Sequence, residues 1–274
     1  MHPLIHIGPV ELPTYGTIIL IGFIIGVIFM MHHGKIYGYT KADFLIASML
    51  SAIGLIVGAK VIFFISVLPE IISHWDIAKE NIPYTIYYSI SGFVFYGGLI
   101  GVLLMLLLFC KQMEYSFLEF TNIVAPVIPF IHGLGRIGCF FGGCCYGIEY
   151  NGPFHVKFPP NEFVTELSGV NRFPVQLLEC LINMIIFVCL YYYSRKKRKP
   201  GSMLGMYLIT YSIVRFSLEF LRGDVSRGIF LGVSTSQWIS LLLLPIGLYL
   251  LFRKKKELFC RARKKLMRNV NAEK

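Results

Sequence analysis

The stretch Phe44–Leu68, FLIASMLSAIGLIVGAKVIFFISVL, runs for 25 residues with Lys60 as its one charge. About 20 apolar residues in helical form cross the hydrocarbon core of a bilayer, so this segment is long enough to span it. Six further stretches read the same way: Tyr15–Met31, Phe93–Cys110, Phe117–Phe141, Pro174–Tyr193, Met203–Leu221 and Ser236–Phe252. Lys60, Arg136, Arg215 and Glu219 sit in or at the edge of these runs. Burying such a group in lipid costs roughly 3 kcal/mol even on modest scales, which marks each as a candidate functional residue.

Composition agrees with a bilayer as solvent. The chain is 55% hydrophobic and 15% charged, with a mean hydropathy of +0.66, and a soluble domain of this size needs more charge to cover its surface. The fold class that follows is an all-α polytopic membrane protein of seven transmembrane helices in residues 1–253, with a basic tail over residues 254–274. The net charge of +11 comes largely from Arg195 to Lys199 and Arg253 to Arg268. Both clusters flank apolar spans, where they face the cytoplasm and its anionic lipids; no nucleic-acid partner is implied.

Orientation follows from the same residues. Lys35 and Lys41 follow the first span, Lys111 the third, Arg195 to Lys199 the fifth, and the basic tail the seventh. With seven spans all four fall on one side, which puts the N-terminus outside and the C-terminus in the cytoplasm. Gly147–Arg172 then forms an external loop. The first fifteen residues carry Glu11 and neither Lys nor Arg, so they lack the cationic start of a cleaved signal peptide. No internal repeat is convincing, which argues against an inverted-repeat transporter.

Three blocks can carry chemistry. In His132-Gly133-Leu134-Gly135-Arg136-Ile137-Gly138-Cys139, His132 and Arg136 are four apart and share a helical face. The glycines allow close backbone approach, and an arginine binds phosphate bidentately, which suits an anionic lipid headgroup. The alternative is an arginine that snorkels to end the span. In Arg215-Phe216-Ser217-Leu218-Glu219-Phe220-Leu221-Arg222, positions 215, 219 and 222 fall on one helical stripe. Arg215 and Glu219 form either a structural ion pair or a second phosphate contact held in place by its carboxylate. Tyr96-Gly97-Gly98-Leu99-Ile100-Gly101 and Tyr15-Gly16 are weaker signals, more often packing than chemistry.

Taken in order, eight blocks resemble the prolipoprotein diacylglyceryl transferase family. They are Leu12-Pro13-Thr14-Tyr15-Gly16, Gly58-Ala59-Lys60, Tyr96 to Val102, Ala125 to Phe130, Gly135 to Phe140, Arg172 to Glu179, Arg215 to Arg222, and Ser234-Thr235-Ser236-Gln237. The resemblance implies a seven-span enzyme of the bacterial inner or plasma membrane. It implies transfer of the diacylglyceryl group of phosphatidylglycerol to the lipobox cysteine in the signal peptide of a lipoprotein precursor. No metal and no organic cofactor is implied. Such a displacement needs a thiolate, from a thiol of pKa about 8.5, and cations to receive the departing phosphate. By resemblance Arg136 and Arg215 match the family's essential arginines, Glu219 and Arg222 their acidic and basic companions, and Tyr15 a first-span tyrosine. Gly97, Gly98, Gly138 and Cys139 fall in the matching substrate-binding blocks.

The chain also departs from that pattern. Where the family runs G-N-F-x-N-x-E, the asparagine positions are Cys139 and Gly142 and the glutamate position is Cys144; the usual histidine before GGLIG is Tyr96. His132 is then the candidate base, with an unperturbed pKa suited to that role near neutrality; otherwise it satisfies a helix carbonyl. Of seven cysteines, Cys139, Cys144 and Cys145 cluster. They read as small apolar replacements, as a nucleophile activated by Arg136, or as a redox or metal group with His132. Competing functions are a paralogue with the same lipid donor and another acceptor, and a non-catalytic lipid-binding protein.

Overall fold

A computed structural model describes residues 4–158, 169–224 and 228–253. The basic tail and the middle of the Gly147–Arg172 loop lie outside the described residues. The chain forms two compact units, residues 1–38 with 118–274, and residues 39–117.

The larger unit opens with a hairpin, β1 (Leu4–Ile7) and β2 (Val10–Pro13), paired antiparallel from Leu4↔Pro13 to Ile7↔Val10. Helix α1 (Thr14–His33) follows directly. The smaller unit holds α2 (Lys41–Ser73), α3 (Trp75–Glu80), α4 (Ile82–Ser91) and α5 (Phe95–Gln112). The larger unit resumes in α6 (Phe117–Val124) and α7 (Val127–Gly142). Next come the short strands β3 (Val156–Lys157) and β4 (Asn171–Arg172), then α8 (Val175–Ser194) and α9 (Ser202–Leu218). Strands β5 (Ile229–Phe230) and β6 (Val233–Ser234) lead into α10 (Thr235–Phe252).

Among the described residues six helices are long and apolar enough to cross a membrane, and seven if α6 and α7 count as one span bent by 42°. That bend corrects the continuous span expected over Phe117–Phe141. Pro126 lies in the break and has no N–H to donate to the preceding turn, so the helix stops and restarts there. Large apolar side chains face outward, such as Leu20, Ile24 and Ile28 on α1 and Met49, Ile53 and Ile56 on α2. Lipid, as apolar as those side chains, is the medium that accepts them.

In the smaller unit α2 and α5 touch backbone to backbone. A Cβ on Gly101 would lie 1.9 Å from the Gly54 carbonyl oxygen, and one on Gly97 2.4 Å from that of Gly58. Helix α2 starts in a capping box: Thr40 Oγ1 accepts from Asp43 N–H at 3.2 Å, and Asp43 Oδ2 accepts from Thr40 N–H at 2.7 Å. Lys60, one of the four flagged charges, donates to the Ile90 carbonyl oxygen, capping the C-terminus of α4.

In the larger unit α7 packs against α1 on one side and α8 on the other, and α9 against α10. Ala125, Ile186, Leu190, Met203 and Tyr207 form one of its buried clusters. Fully buried Asn122 ties α6 to the start of α9, donating to the Lys199 carbonyl at 2.8 Å and accepting from Met203 N–H at 3.1 Å.

Candidate active site

Helix α7 is shaped by its glycines. A Cβ on Gly133 would meet Met184 Cε at 2.6 Å, so α8 closes in on that face; a Cβ on Gly138 would lie 3.0 Å from Tyr15 Cα, so α1 closes in on another. Arg136 and His132 stand one turn apart between them, and Glu179 of α8, 2% exposed, reaches both. Its Oε2 lies 3.0 Å from Arg136 Nε and its Oε1 3.3 Å from His132 Nε2. Arg136 Nε also donates to His132 Nε2 at 3.3 Å.

That single imidazole nitrogen has two competing neighbours. Bare, it accepts from the guanidinium; protonated, it can only donate, and the Glu179 carboxylate is placed to receive it. A proton gained at Nε2 therefore exchanges one partner for the other with little movement. This is the geometry a base requires, and it also explains how a cation is tolerated among apolar helices.

A second pair lies at the end of α9, Arg215 on the helix and Glu219 in the turn that follows it. Arg215 Nη1 is 2.9 Å from Glu219 Oε2, and Arg215 Nη2 donates to Ser236 Oγ at 2.7 Å. The contact between Nη1 and the carboxylate lacks hydrogen-bond alignment, so this buried donor has no hydrogen-bond acceptor among the described residues. Ser236 is delivered by the start of α10, where Ser234 and Gln237 form a reciprocal capping box.

Arg222 does not share the stripe with Arg215 and Glu219. Helix α9 ends at Leu218, Glu219–Leu221 tighten into a 3₁₀ turn, and Arg222 is extended at φ −87, ψ 138. The tighter turn and the extended backbone carry the side chain off the helical face. Its Nε donates to Asp224 Oδ1 at 3.0 Å. Residues around Arg222 instead bridge to Gly147, with Ile148 N–H donating to the Leu221 carbonyl and Gly223 N–H to that of Tyr146, each at 3.0 Å. A side chain at Gly223 would strike the Gly147 carbonyl at 2.4 Å. This pins the turn after α7 beside the end of α9.

The pieces are electrostatically joined. The charges of Arg136, His132 and Arg215 all act on Glu179, and those of Arg136 and Arg222 act on Cys145. Beyond the end of α7, hydrogen bonds from the Cys139 and Cys144 thiols pull the Cys145 thiol well below the ordinary range despite its burial, and both guanidinium groups add to the pull. Tyr15, half exposed at the start of α1, lies within range of Arg136 and the three thiols.

His132, Arg136, Gly138, Cys139, Arg215, Glu219, Arg222 and Tyr15 thus belong to one unit. Tyr96, Gly97 and Gly98 belong to the other. There Tyr96 is exposed in the first turn of α5, while Gly97 and Gly98 are buried against α2. The sequence reading assigned no role to Glu179, Ser236 or Asp224. For Glu179 a signal existed, since it is a charge inside the Pro174–Tyr193 apolar run, the same criterion that singled out Glu219.

Comparison with known proteins gives a consistent result. The family model for prolipoprotein diacylglyceryl transferase matches residues 2–253. The chain is 34% identical over 235 residues to a phosphatidylglycerol–prolipoprotein diacylglyceryl transferase of Clostridium tetani, covering 86% of this chain and 90% of that one. It is 32% identical over 238 residues to the protein named phosphatidylglycerol–prolipoprotein diacylglyceryl transferase 2 of Clostridium perfringens, covering 86% and 89%. A relative of the same name from Idiomarina loihiensis is 31% identical over 260 residues, 93% of each chain.

Proposed function

The chain belongs to the prolipoprotein diacylglyceryl transferase family, and from that premise we propose how its paired arginines carry out the reaction. The protein is a multi-pass membrane transferase that moves the diacylglyceryl group of phosphatidylglycerol to a cysteine thiol of a prolipoprotein. The acceptor thiol is the lipobox cysteine of the signal peptide, and the setting is the plasma membrane of a bacterium. Residues 1–253 form the catalytic membrane domain, with the N-terminus outside and residues 254–274 as a cytoplasmic tail.

The observation that carries the mechanism is the pair of buried arginines that meet at one carboxylate, Arg136 and Arg215 both acting on Glu179. A phosphodiester suits such a site: its oxygens share the two cations. In the displacement, the acceptor sulfur attacks the terminal glycerol carbon, the C–O bond breaks, and glycerol phosphate leaves with the electron pair. Arg136 and Arg215 stabilise the charge that develops on the leaving oxygen, the kind of interaction that grows only in the transition state. His132 takes the thiol proton at Nε2, and Glu179 holds the resulting imidazolium. Glu219 and Ser236 fix Arg215; Asp224 fixes Arg222. Tyr15, Gly138 and Cys139 line the same end of α7 as substrate contacts. Tyr96, with Gly97 and Gly98 packing its helix, is a candidate within its own unit, and Tyr96→His tests it.

The test is release of glycerol phosphate from phosphatidylglycerol by the purified protein in lipid, together with a diacylglyceryl mass gain on a lipobox peptide. Neither product forming would overturn the reading. Headgroup release with a small thiol but not with the peptide would favour the same donor site with another acceptor.

A further inference from the structure

Three thiols gather where α7 ends. Gly143 is left-handed at φ 74 and returns its N–H to the Cys139 carbonyl, and Cys144 N–H donates to the same oxygen at 3.1 Å. Cys145 is left-handed as well, at φ 57, a conformation costing a residue with a Cβ about 1 kcal/mol. The double reversal folds the chain back so that the sulfurs of Cys139, Cys144 and Cys145 lie within 4.8 Å of one another. Gln176 holds the turn from outside, donating to the Cys144 carbonyl at 2.9 Å. The thiols are graded in depth: Cys139 is buried, Cys145 half-buried and Cys144 exposed. A Cβ on Gly142, the last residue of α7, would meet no heavy atom within 4 Å.

Zinc bonds thiolate sulfur at about 2.3 Å, which in a tetrahedron sets sulfurs roughly 3.8 Å apart. Sulfurs within 4.8 Å reach that spacing by small side-chain rotations. Three protein ligands with a vacant fourth position are the pattern of reactive rather than structural zinc sites, and an all-sulfur set selects a soft metal. The proposed reaction alkylates a cysteine, and a thiol that coordinates zinc is deprotonated outright.

We propose that Cys139, Cys144 and Cys145 bind one Zn²⁺ whose fourth position takes the acceptor cysteine as its thiolate. The proposal rests on the transferase reading above. On coordination the acceptor thiol gives up its proton, which passes through water to His132. The sulfur lone pair forms the S–C bond to the terminal glycerol carbon, the C–O bond breaks, and its electron pair leaves with glycerol phosphate. The thioether product is a weaker ligand than a thiolate and departs from the metal. Four thiolates on one Zn²⁺ leave surplus negative charge, and Arg136 and Arg222 already act at this cluster. Oxidation states do not change.

The experiment uses the full chain, purified reduced in detergent. Elemental analysis should find one zinc per chain, and cobalt in its place should give the charge-transfer absorbance of thiolate ligands. Cys139→Ser, Cys144→Ser and Cys145→Ser should each lose the metal, while Cys189→Ser, on the exposed side of α8, keeps it. A lipobox peptide with its cysteine, but not one with serine in its place, should shift the cobalt ligand-field bands. Removing the metal should slow glycerol phosphate release roughly 30-fold, since a free thiol is only a few per cent thiolate at pH 7, and zinc should restore it. The wild-type metal measurement stands even where a serine variant fails to fold. Reduced wild-type protein that takes up neither zinc nor cobalt overturns the proposal. A stripped enzyme with its full rate also overturns it and leaves the transferase reading standing. A cobalt spectrum that responds to the cysteine peptide, with no headgroup released, supports the metal–thiolate site and overturns the transferase reading.

Discussion

At the residue scale the site is a set of arginines, each held by its own carboxylate. Arg136→Ala and Arg215→Ala should each lower kcat by about 100-fold, corresponding to roughly 3 kcal/mol of leaving-group stabilisation. Arg→Lys should recover little of it, because the ammonium lacks the planar fork. Activity near wild type in both folded alanine variants would remove the two-arginine mechanism. His132→Gln should cut kcat by roughly 10² to 10⁴ with phosphatidylglycerol KM unchanged, the usual worth of base catalysis. Glu179→Gln should act on stability as well, by roughly 3–5 kcal/mol, since it strands a buried guanidinium. Thermal unfolding in detergent reads that loss; an unchanged midpoint would mean the pair contributes nothing. Arg136 and Arg215 were legible in the sequence because a charge inside an apolar run stands out. Their partners were legible only in part, because Glu219 lies one turn from Arg215 while Glu179 is 43 positions from Arg136.

At the element scale, glycines and caps set which helix faces meet. Gly101 of α5 sits on the Gly54 carbonyl with no room for a methyl group, so Gly101→Val should separate α2 from α5. The expected outcome is a sharp fall in monodisperse protein on size-exclusion chromatography; normal yield would show that the two helices tolerate a wider spacing. The cap of α10 separates stability from turnover. Ser234→Ala should cost about 1 kcal/mol by leaving the helix start uncapped, whereas Ser236→Ala removes the hydrogen bond to Arg215 Nη2 and should lower kcat with a smaller shift in midpoint. Equal effects of the two on both readouts would merge their roles. The break between α6 and α7 was not read from the sequence: hydropathy runs unbroken through Ala125-Pro126, and apolar content says nothing about a missing N–H. The stripe joining Arg215, Glu219 and Arg222 was misread for a related reason, since helical spacing extrapolated through Arg222 assumes a turn that the backbone has already abandoned.

At the scale of the whole molecule the prediction is topological. With seven crossings, cysteine-accessibility labelling in cells should find Met1 and positions in the Gly147–Arg172 loop reachable from outside, and Lys196 protected until the membrane is opened. A cytoplasmic Gly147–Arg172 loop would reverse the orientation and put the arginine cluster on the wrong side for an externally presented acceptor.

By itself the sequence determined the solvent and the helical architecture, because lipid demands long apolar helices. It also singled out Arg136 and Arg215, since a charge inside an apolar run stands out. Only the tertiary structure decided that Glu179 serves both His132 and Arg136, that Arg222 leaves the helix to sit beside Gly147, and that three cysteines separated along the turn converge. Those pairings depend on which helix faces meet and where each helix stops. Close packing and backbone hydrogen bonding settle both only when the chain is assembled.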